Sequence, residues 1–191
     1  MATNGPSKRP ADELRAIAAP TDLIEWVRKL APDSETRSAW VDATRADWVP
    51  YLAVLRGISR DTILRAACEC ALEKAEPSLV DAGPESARVL EALRAAAARG
   101  RDGLATADAD LADLRLAIIQ SNHDKGAVQP PWMFWAELVL ELSRASARGN
   151  PLIGVALAMK MLATSRPGAS RSRSAQHELV GRLRDKLTAV G

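Results

Sequence analysis

The chain is poor in the residue types that build disulfide frameworks, metal sites and membrane spans. Only two cysteines and two histidines occur among 191 residues. Two cysteines make no disulfide framework, and a structural zinc site needs four ligands close together. No run approaches the ~20 apolar residues that cross a bilayer, and the N-terminal segment lacks the apolar stretch of a signal peptide. We therefore expect a cytoplasmic protein with no metal, no cofactor and no membrane partner.

Aromatic residues are also scarce, at 4%, whereas alanine accounts for 36 residues. Alanine favours helix, and its small side chain lets helix backbones approach closely. The composition and the helical spacing of apolar residues predict an all-α fold, with about eight or nine mostly antiparallel helices in a single bundle. A short right-handed stack of helix pairs is the alternative architecture. We expect residues 1–10 to be a disordered lead-in and residues 11–191 to be one helical domain, with a flexible basic loop near 165–174.

Residues 59–75 are predicted to form the central helix of the fold. After the first turn, the polar residues Arg65, Glu69 and Glu73 recur at i, i+4 and i+8, which is one narrow stripe. The residues between them are apolar or small. A helix of this pattern shows water only along its stripe and is contacted by neighbouring helices on its other sides.

Several residues mark where this helix and its neighbours begin and end. Ser59 is placed to cap the central helix, and Pro77 is expected to end it. We expect the next helix over Pro84–Arg99, with Gly100 and Gly103 breaking it. Elsewhere, Trp40 and Val41 are expected to form the apolar face of an early helix, and Asn150 with Pro151 to start a helix that is buried nearly all round.

Cys68 and Cys70 lie in the middle of the central helix. Two positions on a helix correspond to about 200° of rotation, so the two thiols point to nearly opposite sides and do not share one metal ion. No other histidine or cysteine is close in sequence. We expect two small buried residues in a tight helix packing.

The candidate binding residues fall in two groups. Trp132 and Trp135 follow a Pro-Pro pair and could form a binding patch, although their i, i+3 spacing equally fits a buried stripe. Asp81 and Glu85 lie in an acidic turn, and a second acidic segment covers residues 102–110. We expect a partner protein to contact exposed aromatics or these acidic turns.

The C-terminal region is basic. Residues 160–191 carry seven lysines and arginines against two carboxylates, a net charge of +5, which leaves −3 for the remainder of the chain. The candidate basic patch consists of Arg171, Arg173, Arg182, Arg184 and Lys186. Such a patch can bind nucleic acid, but no helix-turn-helix signal or aromatic stacking pattern accompanies it, and a solvated basic end is the alternative.

The sequence contains no recognisable catalytic arrangement. A nucleophile elbow, a phosphate-binding loop, a dinucleotide fingerprint and the Glu-x-x-His ligand pair of di-iron bundles are all missing. The carboxylates fall on predicted solvent stripes. We therefore expect a protein that is not an enzyme and that has no catalytic residues.

One segment resembles a known family. Residues 46–100 contain Asp47-Trp48 before an apolar helix, the run Ala66-Ala67-Cys68-Glu69-Cys70-Ala71, an acidic turn over residues 81–85, and an Ala98-Arg99-Gly100 end. This order resembles the helical immunity-protein domain family found beside bacterial polymorphic toxins. The turn here lacks the Arg-Pro pair of the family pattern, and the later alanine-dense helices are replaced by PPWMFWAELVLEL. The resemblance implies a helical fold and a toxin partner, and it implies no catalytic residues.

From these observations we expect a non-catalytic protein that binds a partner protein, which the resemblance implies is a toxin or the product of an adjacent gene. Two alternatives stay open. The chain could be a helical scaffold or regulatory protein that acts through self-association. It could also be a nucleic-acid accessory protein that uses the basic C-terminal region.

Overall fold

The computed structural model describes residues 9–30, 36–123, 129–164 and 173–189. Its helices are α1 Pro10–Ala16, α2 Thr21–Lys29, α3 Thr36–Asp42, α4 Val49–Leu55, α5 Arg60–Leu79, α6 Pro84–Arg99, α7 Arg101–Asp110, α8 Ala112–His123, α9 Pro131–Ala147, α10 Pro151–Thr164 and α11 Arg173–Thr188. No strand occurs in these ranges. The all-α prediction is therefore confirmed for the described part of the chain.

The number of helices differs from the expected eight or nine, since eleven are present in the described residues. Two boundaries of the expected organisation also differ. Pro10 is the first residue of α1 rather than the end of a lead-in, and α11 begins at Arg173, inside the stretch predicted as a loop. None of the helices in the described ranges is long and apolar enough to span a membrane.

The helix α5 occupies the centre of the packing. It contacts α4, α6, α9, α10 and α11, and the buried side chains of the helices from α1 to α11 join into one continuous cluster. Ser59 caps α5 as predicted, because its hydroxyl oxygen accepts a hydrogen bond from the Thr62 amide at 3.1 Å. The composition explains this position, since alanine and cysteine side chains in the middle of α5 let several helices approach at once.

The prediction that Pro77 ends α5 is wrong, because the helix continues to Leu79. A proline inside a helix removes one hydrogen bond and disfavours the helical conformation of the residue before it. Pro77 lies so near the end of α5 that few hydrogen bonds follow it. The helix therefore tolerates the proline for its last turn.

The polar stripe of α5 is only partly a solvent-facing edge. Arg65 Nε donates to the Ala97 carbonyl oxygen of α6 at 3.2 Å, whereas Glu69 and Glu73 lie opposite cations of α11. The stripe thus faces two neighbouring helices with its polar atoms. It remains partly accessible to water, and Arg65 and Glu73 are exposed.

Gly103 does not break a helix, contrary to the sequence prediction. It lies inside α7, where a Cβ atom would overlap the carbonyl group of Ala95 in α6. The glycine therefore permits a close approach of two helix backbones. Gly100, in contrast, separates α6 from α7 as expected, with a φ of 58°.

The predictions for α3, α6 and α10 have different outcomes. The prediction for α6 is confirmed over its full length, and α10 begins at Pro151 as expected. The expectation for Val41 is wrong, because its side chain is 61% exposed while the neighbouring Trp40 is buried. Among the described side chains of α3, Ala39 and Trp40 are buried, whereas Val41 and Asp42 are exposed.

Candidate protein-interaction surfaces

The turn between α5 and α6 carries the first predicted group of binding residues. Val80 follows α5 directly, and its side chain is 50% exposed. Asp81 adopts a φ of 62°, in the left-handed region that aspartate enters more readily than most residues. The Val80 amide donates to the Glu76 carbonyl oxygen at 3.1 Å, and the Ala82 amide to the Leu79 carbonyl oxygen at 3.2 Å. These bonds fix a short turn with an exposed apolar residue at its start.

The start of α9 lies against this same end of α5. Trp135 Nε1 donates to the Ser78 hydroxyl at 3.2 Å, and that hydroxyl donates to the Ala75 carbonyl oxygen at 2.8 Å. The two groups of residues selected separately from the sequence therefore belong to neighbouring elements. Sequence reasoning did not place them together, because no local pattern links α9 to the end of α5.

The structure gives the two tryptophans different environments. Trp135 is only 7% exposed and packs edge-to-face on Phe134, with 4.9 Å between the ring centroids. The suggested surface role for Trp135 is therefore corrected, because its ring fills the space between α9 and α5. Trp132 is half-buried and keeps part of its surface accessible.

We define the turn surface as Val80, Asp81, Glu85 and Trp132. Asp81 is exposed and Glu85 is half-buried, and within the described ranges neither carboxylate makes an ion pair, whereas nearby Glu76 pairs with an arginine at 2.8 Å. The turn surface thus combines apolar area with two available negative charges. That combination suits a protein partner with a basic, partly apolar face.

The second acidic segment, residues 102–110, forms α7 rather than a turn. The Asp108 carboxylate pairs with Arg115 at 2.7 Å. Beside α7, Arg88 pairs with the exposed Asp113 at 2.6 Å and also contacts the Asp110 carbonyl oxygen. The hydrogen bonds from Arg88 lower the pKa of Asp113 to about 2. Part of this segment therefore serves contacts within the chain.

The basic patch predicted in the C-terminal region is largely used inside the fold. Lys186 Nζ lies 2.6 Å from a Glu73 oxygen and 3.2 Å from a Glu69 oxygen. Arg182 lies 3.4 Å from Glu73 and 2.9 Å from Glu178. Burial lowers the pKa of Lys186, but its hydrogen bonds to the two α5 carboxylates outweigh burial and raise that pKa overall. These cations form ion pairs between α11 and α5.

The other members of the patch do not extend it into a described basic face. Arg171 lies outside the described residues, and Arg173 is the first residue of α11. Arg184 points its Nη2 donor at the Ala43 carbonyl oxygen, 2.8 Å away, near the end of α3. The nucleic-acid alternative therefore finds no continuous free cationic surface among the described side chains.

The cysteines of α5 are both free and buried. Burial raises the pKa of each thiol to about 12, which leaves them protonated at neutral pH. No cluster of three or more histidine, cysteine or acidic residues that could hold a metal ion occurs in the described part of the chain.

The exposed stripe on α10 was not predicted from the sequence. Ile153, Leu157, Lys160 and Thr164 recur on one side of the helix and are all exposed, and the two apolar side chains are 48% and 41% exposed. The expectation that α10 is buried nearly all round is therefore wrong along this stripe. Lys160, seven residues after Ile153, is the sequence signal that could have revealed it.

A depression of about 330 Å³ lies beside the C-terminal end of this stripe, between α10, α11 and the residues before α4. Arg45 forms one wall. Its guanidinium pairs with Asp22 at 2.5 Å and Asp47 at 2.6 Å, and lies 4.6 Å from the Trp48 ring centroid. The hydrogen bond to Asp47 raises the pKa of Arg45. The positive charge of Arg45 is therefore balanced by carboxylates of the same chain.

Comparisons of the chain with protein-family models, with curated proteins and with solved structures found no match.

Proposed function

We propose that this chain is a cytoplasmic, non-catalytic helical protein that binds a partner protein through the turn surface, and that the partner is a cognate toxin. The observation that carries the proposal is the turn surface itself, where half-exposed Val80 stands beside two carboxylates without ion pairs. The resemblance to helical immunity-protein domains supports the toxin, since the resembling segment, residues 46–100, includes this turn.

The proposed mechanism is occlusion rather than chemistry. A stable complex of ordinary size buries about 800 Å² on each partner, which is far more than one turn provides. Val80 and the accessible part of Trp132 would supply apolar contact at its centre, and Asp81 and Glu85 would pair with cations of the partner. The buried ring of Trp135 holds the start of α9 in place behind them.

The first experiment uses the product of the gene adjacent to this one. Its expression alone should stop bacterial growth, and co-expression of this chain should restore growth and give a co-purifying complex. An adjacent product that neither harms cells nor binds this chain contradicts the toxin assignment.

Variants then locate the contact. The double variant Asp81→Asn and Glu85→Gln removes both charges while keeping side-chain size, and it should weaken the complex by about tenfold or more. Glu91→Gln, which removes one charge rather than two, is the control, because Glu91 is an exposed residue of α6 that makes no ion pair among the described residues. Equal affinities of the two variants would move the interface away from the turn surface.

Self-association is the second candidate, and the stripe on α10 favours it. Ile153 and Leu157 together expose apolar area at i, i+4 spacing, which suits packing against a second helix. Light scattering should then show a dimer that Ile153→Ser with Leu157→Ser abolishes. Leu116→Ser, at an even more exposed apolar position of α8, is the control. A monomer at all concentrations rejects this candidate.

A further inference from the structure

A groove of about 340 Å³ lies between α6 and α7. Its base consists of alanines, because Ala92 and Ala107 are buried and Ala95 is half-buried. We call it the α6–α7 groove, and the charged residues that line it are Arg88, Glu91, Arg99 and Asp110. The volume is at the lower end of the range of small-molecule sites, so the groove admits a small ligand.

The charged residues are arranged along the length of the α6–α7 groove. Glu91 and Arg99 are eight residues apart on α6, which is about 12 Å along the helix axis. Arg99 ends α6, and α7 runs back along α6 after Gly100. Asp110 ends α7, and its carbonyl oxygen contacts Arg88 at the opposite end of the groove. The carboxylates therefore lie toward one end and Arg99 toward the other.

Three of these charges are available to a ligand. Neither Glu91 nor Arg99 makes an ion pair with a side chain in the described ranges. The Asp110 carboxylate makes none there either, since Arg88 contacts only the carbonyl oxygen of Asp110 and pairs with the Asp113 carboxylate. Arg88 is thus already neutralised within the chain. The groove that Glu91, Arg99 and Asp110 all line places two unpaired negative charges and one unpaired positive charge around a single cavity.

We propose that the α6–α7 groove binds a short peptide of about three residues, with its α-ammonium group at Glu91 and Asp110 and its α-carboxylate at Arg99. The ligand needs both charges, because Arg99 would repel a polyamine and the two carboxylates would repel a dicarboxylate. An extended tripeptide is about 10 Å long, close to the axial distance between Glu91 and Arg99, whereas a single amino acid spans only about 3.5 Å.

The uncharged lining of the groove suits a peptide backbone. The Thr106 hydroxyl donates to the Asp102 carbonyl oxygen at 3.2 Å, which leaves its own oxygen as an acceptor for an amide of the ligand. The alanines at the base make room for a backbone but leave little space for a long side chain. The central residue of the ligand should therefore be small.

The α6–α7 groove shares no residue with the turn surface, so it is tested on the isolated protein and does not depend on the toxin proposal. The probe is trialanine, and the measurement is nuclear magnetic resonance of the backbone amides. Titration should shift the signals of α6 and α7 residues along the groove, with a dissociation constant on the order of 1 mM, because ion pairs at exposed side chains are weak. Trialanine amide and N-acetyl-trialanine each lack one terminal charge, and each should bind about threefold to fivefold more weakly.

Variants assign the two ends of the ligand. Arg99→Gln should abolish the preference for trialanine over its amide, because no cation then meets the carboxylate. Arg101→Gln is the matched control, since Arg101 is also exposed and does not line the groove. Asp110→Asn should reduce the preference for trialanine over its N-acetylated form, and Asp102→Asn, which changes another exposed aspartate of α7, should not.

The site is supported if wild-type protein prefers trialanine to both blocked peptides and Arg99→Gln loses only the first preference. Three results overturn it: amide signals that do not move at about 10 mM trialanine, equal binding of trialanine and N-acetyl-trialanine to the wild type, or an undiminished preference for the free carboxylate in Arg99→Gln.

Discussion

Gly103 offers the sharpest test of how the helices pack. In Gly103→Ala the new Cβ would lie 2.5 Å from the Ala95 carbonyl carbon and 2.8 Å from the Ala96 nitrogen. Ordinary contacts at Cβ begin at 3.4 Å, so α6 and α7 would have to separate by about 1 Å. The obstructing atoms are backbone, which cannot rotate away as a flexible side chain would.

The expected loss of stability follows from this geometry. Overpacking a well-packed site costs about 1–3 kcal/mol, and a backbone obstruction belongs at the upper end, which we set at about 3 kcal/mol. Alanine returns at most about 1 kcal/mol through its better helix propensity, which is too little to compensate. The net loss is therefore about 2 kcal/mol. For a protein of this size, the melting temperature should then fall by roughly 4–8 °C.

Gly181→Ala is the matched control for this experiment. Gly181 lies inside α11, and a Cβ there meets nothing within 4 Å. The same substitution should therefore raise stability by about 0.5–1 kcal/mol. Thermal and urea unfolding followed by circular dichroism measure both variants. A Gly103→Ala protein within about 0.5 kcal/mol of wild type would refute the close approach of α6 and α7.

Three further predictions address single groups. The thiols of Cys68 and Cys70 should resist a thiol reagent in the native protein. Because burial raises each pKa from 9.0 to about 12, the free energy of unfolding should be constant below pH 9 and should fall above it by about 1.4 kcal/mol per pH unit for each thiol. The double variant Cys68→Ala with Cys70→Ala should remove this pH dependence. NMR titration should place the pKa of Asp113 near 2, and Arg88→Gln should return it toward 3.8; a pKa unaffected by the substitution contradicts the pairing. Trp135→Phe should lower the free energy of unfolding in urea by about 1–2 kcal/mol, because it removes a half-buried hydrogen bond to Ser78 and leaves a small cavity. An unchanged midpoint would mean that this bond contributes nothing.

Local chemistry explains which helix boundaries could be predicted. Ser59 caps α5 with its own hydroxyl, and Pro84 and Pro151 start helices with a fixed φ, so each signal acts within a few residues of the boundary. Gly103 shows the opposite case. A glycine that permits close helix packing has the same sequence appearance as a glycine that breaks a helix, and only the position of Ala95 in three dimensions separates them.

The candidate sites divide in the same way. Asp81 could be found as an exposed acidic turn residue, because turn chemistry is local. The environment of Trp135 depends on Ser78, which is 57 residues away in sequence. The positive charge near Lys186 could be counted from the sequence, but the carboxylates of α5 that neutralise it belong to a different part of the chain.

The contacts of α11 determine when it can pack against the earlier helices during translation. Arg184 and Ala43 are 141 residues apart, and Arg182 and Glu73 are 109 residues apart. At about 5–20 residues per second, a ribosome needs roughly 7–28 s between the two ends of the first contact. During that interval the apolar sides of α4 and α5 that α11 covers are open to chaperones, and the acidic stripe of α5 has no cation from α11 beside it. Packing of α11 against α4 and α5 therefore waits for the translation of α11 rather than for helix formation.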